Sequence, residues 1–144
     1  TLIPDYHVWK VGTRFFPLSE TERALVAPAA QLDSLGVPVA CGTDNSPCNP
    51  LATMRAMRTR RERTTGEVLG GNGRTSAELA LRAMTQNGAW FSFEEHVKGR
   101  IAPGYFADFA VLSGCPLTTP GDALDSLSCL ATMVGGRFVH GGET

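Results

Sequence analysis

Asp44 sits at an abrupt change in the chemistry of the chain. The apolar run GVPVACG over 36–42 gives way to the polar stretch TDNSP over 43–47. A short, continuous apolar run bounded by glycines predicts a strand buried on both faces of a parallel α/β sheet. A carboxylate at the end of such a strand is hard to justify as packing, because a buried charge needs a partner. That makes Asp44 the strongest catalytic candidate. The structural use of the same residue is an Asx-turn or helix cap, and the local sequence leaves both uses open. Asn45 and Ser46, with Pro47, continue the loop and are placed to line a substrate pocket.

Other reactive side chains are weaker candidates. His7 lies near the end of the β-prone stretch LIPDYHVW over 2–9 and is a candidate for substrate contact; Lys10 and Arg14 could meet a substrate carboxylate from the same loop. His96 and His140 are isolated and read as surface residues. Cys41, Cys48, Cys115 and Cys129 form no C-x-x-C pair, so they predict reduced, mostly buried thiols rather than a zinc or disulfide framework. No G-x-S-x-G elbow is present. The glycine-rich stretch 66–73 lacks the Lys-Ser/Thr of a phosphate loop and predicts a flexible connection.

The elements that must position these groups can be read in outline. Residues 2–9 predict a short strand running into a loop. Ser19 with Glu22, and Thr75 with Glu78, read as capping boxes at helix starts. Pro28 should kink or divide the first helix. Asn49-Pro50 predicts a capped helix start, with Leu51, Met54 and Met57 on one face. Arg55, Arg58, Arg60, Arg61 and Arg63 predict a solvated helix face. Leu79, Ala80, Ala83 and Met84 stripe the next helix, which Gly88 should stop. Residues 107–112 predict a strand, and Gly135-Gly136 a two-residue hairpin turn.

The 144 residues are 42% hydrophobic and 19% charged, with a net charge of -1. That composition suits a globular fold and gives no electrostatic reason to expect nucleic acid or an anionic membrane as partner. No apolar run approaches the roughly 20 residues needed to cross a bilayer. No secretory signal is visible, which says little about the parent of a chain that reads as truncated; a cytoplasmic location is the expectation. The chain opens on Thr1 and reads as truncated or processed. The texture changes from α/β to mainly β near residue 97.

Four stretches together resemble the C-terminal end of the amidohydrolase superfamily, in its amidohydrolase-3-like branch. GVPVACGTD over 36–44 is similar to the last barrel strand, which ends Gly-Ser/Thr-Asp. RAMTQNGA over 82–89 resembles the T-x-N-x-A helix. GRIAPGYFADFAVL over 99–112 resembles the G-x-I-x-P-G-x-x-A-D strand and is the most specific. ATMVGGRFV over 131–139 is similar to the closing T-x-V-x-G-x-x-V. The match runs in order over residues 1–140.

The resemblance implies an α/β fold: the last part of a TIM (β/α)8 barrel over 1–97, then part of a small β-sandwich over 98–144. A full barrel takes about 250 residues, so the fold is expected to be incomplete without an upstream portion, either lost or carried on a separate chain. The resemblance makes Asp44 both metal ligand and general base. The metal would be divalent, zinc by preference, with one or two ions and most ligands outside this chain. The reaction implied is hydrolysis of a C–N bond in a small-molecule amide, N-acyl compound or cyclic amide. A deaminase is a close variant, and a non-catalytic fragment or scaffold module is the alternative. Asp108 belongs to the sandwich motif and is expected to be a structural hydrogen-bonder. A homo-oligomer is left open.

Overall fold

The computed structural model describes residues 1–44 and 48–142. A π-helical turn, Asp5–Lys10, and a 3-10 turn, Gly12–Phe15, lead into helices α1 (Glu20–Ala24), α2 (Ala29–Ser34) and α3 (Pro50–Thr59). A 3-10 turn, Gly71–Gly73, precedes α4 (Ala77–Met84) and α5 (Gln86–Phe91). Strand β1 (Phe109–Leu112), a 3-10 helix (Gly121–Ser126), β2 (Cys129–Val134) and β3 (Arg137–His140) complete the order.

Local chemistry explains most helix ends. Ser19 and Glu22 form the expected reciprocal capping box: the Glu22 N–H donates to Ser19 Oγ at 3.3 Å, and the Ser19 N–H to Glu22 Oε2 at 2.9 Å. Pro28 stands at the start of α2 and separates it from α1. Asn49 caps α3 through its Oδ1, which accepts from the Leu51 N–H at 3.0 Å, with Pro50 at the first helical position.

Two helix ends differ from expectation. The cap of α4 is Ser76, whose Oγ accepts from Leu79 N–H at 3.0 Å. Thr75 is held one residue upstream because its own N–H donates to the Met57 carbonyl at 3.1 Å. Gly88 does not end the helix but lies inside α5. The break falls at Thr85 (φ -131°, ψ -88°), whose hydroxyl donates back to the Leu81 carbonyl at 2.8 Å.

The two predicted strands are reduced to one contact. Leu2 and Cys41 form an isolated parallel bridge. Pro4 then takes helical angles (φ -63°, ψ -36°) and has no N–H to give a ladder, so the chain coils from Asp5 instead of extending to residue 9. Val37 stands 45% exposed, and its N–H donates back to the Leu32 carbonyl at 3.0 Å rather than to a strand.

The last third forms a three-stranded antiparallel sheet in the order β1-β2-β3. Phe109 faces Met133, and Val134 faces Arg137 across the predicted Gly135-Gly136 turn. Both glycines have positive φ, 55° and 79°, as a tight hairpin turn requires. Asp108 is the structural hydrogen-bonder expected of it, with Oδ1 accepting from the Gly135 N–H at 2.7 Å.

One core joins the helices to this sheet. Ala29, Val39, Leu51, Met54, Met57, Ala80 and Ala83 pack with Leu124, and Leu112 and Leu127 lean against them. Each fully buried Leu or Met side chain contributes about 1.5–3 kcal/mol.

The arginine cluster is not a uniform solvated face. Arg60 is 1% exposed, because its guanidinium reaches back to carbonyls of the α1 end. The 66–73 stretch is not simply a loose connection either: Leu69 is fully buried, and Gly70 lies against the Arg23 and Ala24 backbone where no Cβ would fit. The cysteines are free as expected but mostly not buried. Cys48, Cys115 and Cys129 are exposed, and only Cys41 packs against the core.

Candidate active site

The segment that leads to Asp44 is tied along both edges. On one edge the Leu2 N–H donates to the Ala40 carbonyl at 2.9 Å, and the Gly42 N–H to the Leu2 carbonyl at 2.9 Å. On the other, the Cys41 N–H donates to the Ala83 carbonyl at 3.0 Å, and Asn87 Nδ2 to the Val39 carbonyl at 2.9 Å. Val39 and Ala40 are 4% and 5% exposed. Burial pushes the Cys41 thiol up to about 12, so it stays protonated.

Asp44 follows this tied segment at φ 51°, in the left-handed region that Asp tolerates better than most residues. Its side chain is exposed, and its carboxylate has no hydrogen-bond or ion-pair partner among the described residues. The expectation that it is a buried charge in need of a partner is therefore corrected: among the described residues it is exposed, not buried. Asn45 and Ser46 lie outside the described residues.

The bridge is parallel, so the chain leaves Leu2 and Cys41 in the same direction, toward His7 and Asp44 respectively. His7 is half-buried, with Nδ1 3.0 Å from the Ile3 carbonyl. A carbonyl only accepts, so Nδ1 is the donor in this contact. With Leu2, Ile3, Phe15, Leu25 and Val26, His7 lines a mainly apolar cavity of about 370 Å³, which Asp44 does not line. Lys10 packs over the Tyr6 ring, 5.5 Å from its centroid, while Arg14, His96 and His140 are exposed.

Among the described residues, no three His, Cys, Asp or Glu side chains converge as a metal site. Asp44 offers one hard oxygen donor, whereas zinc takes about four ligands. Its carboxylate could supply at most a minority of such a ligand set. Sequence reading missed Asn87 as a residue touching this segment. Its signal was present, since Asn87 is the Asn of the T-x-N-x-A pattern.

The parallel bridge, the helices packed beside it and the antiparallel sheet define an α/β protein with a carboxylate at the end of a parallel segment. The chain belongs to the amidohydrolase family, whose sequence profile matches residues 10–140. It is similar to YtcJ of Bacillus subtilis (strain 168), which carries a provisional amidohydrolase name, at 29% identity over 114 residues, or 76% of this chain. It shares a fold with an amidohydrolase from Thermotoga maritima MSB8, at a TM-score of 0.58 and 23% identity over 79% of this chain. The chain spans 21% of the length of YtcJ and 26% of the Thermotoga chain. No helix among the described residues is long and apolar enough to cross a membrane.

Proposed function

We propose that the protein carrying this chain hydrolyses a C–N bond in a small amide, N-acyl compound or cyclic amide, with Asp44 as metal ligand and general base. The observation that carries this reading is the exposed Asp44 carboxylate, without a partner among the described residues, three residues beyond the parallel bridge of Cys41 with Leu2. An ionised carboxylate so placed can take a proton from an attacking water and return it to the leaving nitrogen. A divalent ion, zinc by preference, would polarise the scissile carbonyl. Its remaining ligands and the rest of a (β/α)8 barrel would come from polypeptide outside this chain, in the same protein or a second one. Family membership and the Gly-Thr-Asp pattern at 42–44 support this reading. His7, beside its cavity, would contact substrate, as would Asn45 and Ser46, which follow Asp44 in the sequence. A deaminase would use the same proton path.

A second reading is a scaffold or interaction module without activity. It is favoured by the lack of a three-donor cluster among the described residues. Asp44→Asn in the full-length protein separates the two. Turnover should fall by about 10²–10⁴ with the fold retained, and the purified parent should hold at least about one metal ion per chain. Unchanged turnover, or a metal-free parent after metal-replete purification, would remove the catalytic assignment.

A further inference from the structure

We propose that Asn87 is a positioning residue for Asp44, fixing the register of the segment that presents it. The inference rests on the catalytic reading of Asp44 given above. Four successive residues are each held by one backbone group: Val39 by its carbonyl, Ala40 by its carbonyl, Cys41 by its N–H and Gly42 by its N–H. The partners alternate, with Asn87 and Ala83 on one side and Leu2 on the other. That alternation is the pattern of an extended strand, yet only the Leu2 side is met by extended backbone. On the other side a helix main-chain carbonyl and one side chain complete the edge.

Asn87 is the sole side chain among these four ties, so it is where residue type can decide the register. A slip of one residue would exchange the two edges and turn the side chains that follow to the opposite face. The Val39 carbonyl belongs to a residue 4% exposed, so water is a poor substitute donor. The position of α5 is itself constrained. Gly99, at φ 89°, lies so close to it that a Cβ would stand 2.8 Å from Ala89 Cβ and 3.0 Å from Gln86 Cα. Thus the segment over 99–112, through its first glycine, seats the helix that carries Asn87, and Asn87 in turn holds the segment that ends at Asp44.

The test is steady-state kinetics of Asn87→Asp in the full-length protein. This variant keeps the size of the side chain but sets a carboxylate oxygen against the Val39 carbonyl. At about pH 8, kcat should fall roughly 10- to 100-fold, the scale of a 1 Å misplacement, with KM within about twofold. A protonated carboxyl can donate to Val39, so the ratio of variant to wild-type kcat should rise as pH falls toward 5. Asn87→Leu, which has no donor at any pH, should show the loss without the recovery. In an Asp44→Asn background, Asn87→Asp should cost no further kcat. An unreduced kcat in folded Asn87→Asp or Asn87→Leu, or an undiminished extra loss in the Asp44→Asn background, would overturn the proposal. Full turnover by Asp44→Asn alone would instead remove the reading of Asp44, and that result is obtained without any change at Asn87.

Discussion

Arg60 Nη2 donates to the Val26 carbonyl at 2.8 Å, a contact that spans 34 positions of the chain. The same nitrogen reaches the Arg23 carbonyl at 2.9 Å, and Nε donates to the Leu69 carbonyl at 2.6 Å. One guanidinium therefore closes the exit of α1, the end of α3 and the 66–73 stretch. Arg60 itself sits at φ 54°, just past α3. Burial lowers its pKa to about 10, with Glu20 opposing and Arg74 adding to the shift. It stays charged at neutral pH, so the clamp gives no pH dependence there.

Arg60→Met should destabilise the protein by about 3–5 kcal/mol, because buried carbonyls lose a charged donor and gain none. Arg60→Lys should fall between the two, since an ammonium cannot span the same carbonyls. The urea unfolding midpoint measures this directly. A midpoint for Arg60→Met equal to wild type would show that the clamp contributes nothing.

Glu62 makes the acid limb of stability testable. It is 2% exposed, and its Oε2 accepts from the Thr64 N–H at 2.7 Å and the Thr65 N–H at 2.8 Å. Burial raises its pKa, but donation from Thr65 and Thr64 outweighs that and leaves it below the ordinary 4.5. A depressed carboxyl pKa stabilises the folded state above the unfolded value, and that contribution is lost as pH falls through the folded value. Glu62→Gln should be less stable at pH 7 by about 1 kcal/mol and should lack this part of the acid decline. Parallel acid limbs in urea titrations of the two proteins would contradict it.

Much of this was legible in the sequence where a feature is local. The Ser19 and Asn49 caps, the break at Pro28 and the Gly135-Gly136 turn follow from neighbours within a few residues, whereas the Asp108 role, with its partner Gly135 27 residues on, was legible only through the family motif. The Asp44 candidate was legible because an apolar run stops at a polar loop. What escaped was long-range. Nothing near Arg60 tells that its partners are 33 to 37 residues upstream. Asn87 meets Val39 across 48 residues. The two predicted strands failed for a related reason, since an extended segment needs neighbours, and Leu2 and Cys41 supply one bridge between them.

The cysteines should differ in reactivity in a defined order. Cys115 is exposed, and hydrogen bonds from Leu117 and Thr118 lower its pKa below the ordinary 9.0. Cys41 is held protonated by burial. Since the thiolate is the nucleophile, iodoacetamide at about pH 7.5 should modify Cys115 well before Cys41 in the folded protein. Peptide mapping over a time course reads the order. Equal rates at the two sites would mean that residues 39–42 open to solvent more often than their hydrogen bonds imply.

The start of α4 separates two adjacent hydroxyls that a motif scan confuses. Ser76 Oγ accepts the Leu79 N–H, whereas Thr75 Oγ1 is buried without a hydrogen-bond partner among the described residues. Removing a serine cap costs about 1 kcal/mol, so Ser76→Ala should lower stability by that amount. A buried hydroxyl that makes no bond retains its desolvation cost, and replacing it by an apolar group of the same shape is nearly neutral or stabilising. Thr75→Val should therefore unfold at the same or a higher urea concentration than wild type. Had Thr75 been the cap, the order would reverse, with Thr75→Val the damaging change and Ser76→Ala nearly silent. Thermal and urea melts of the two single variants decide between these outcomes, because the expected shifts have opposite ranking.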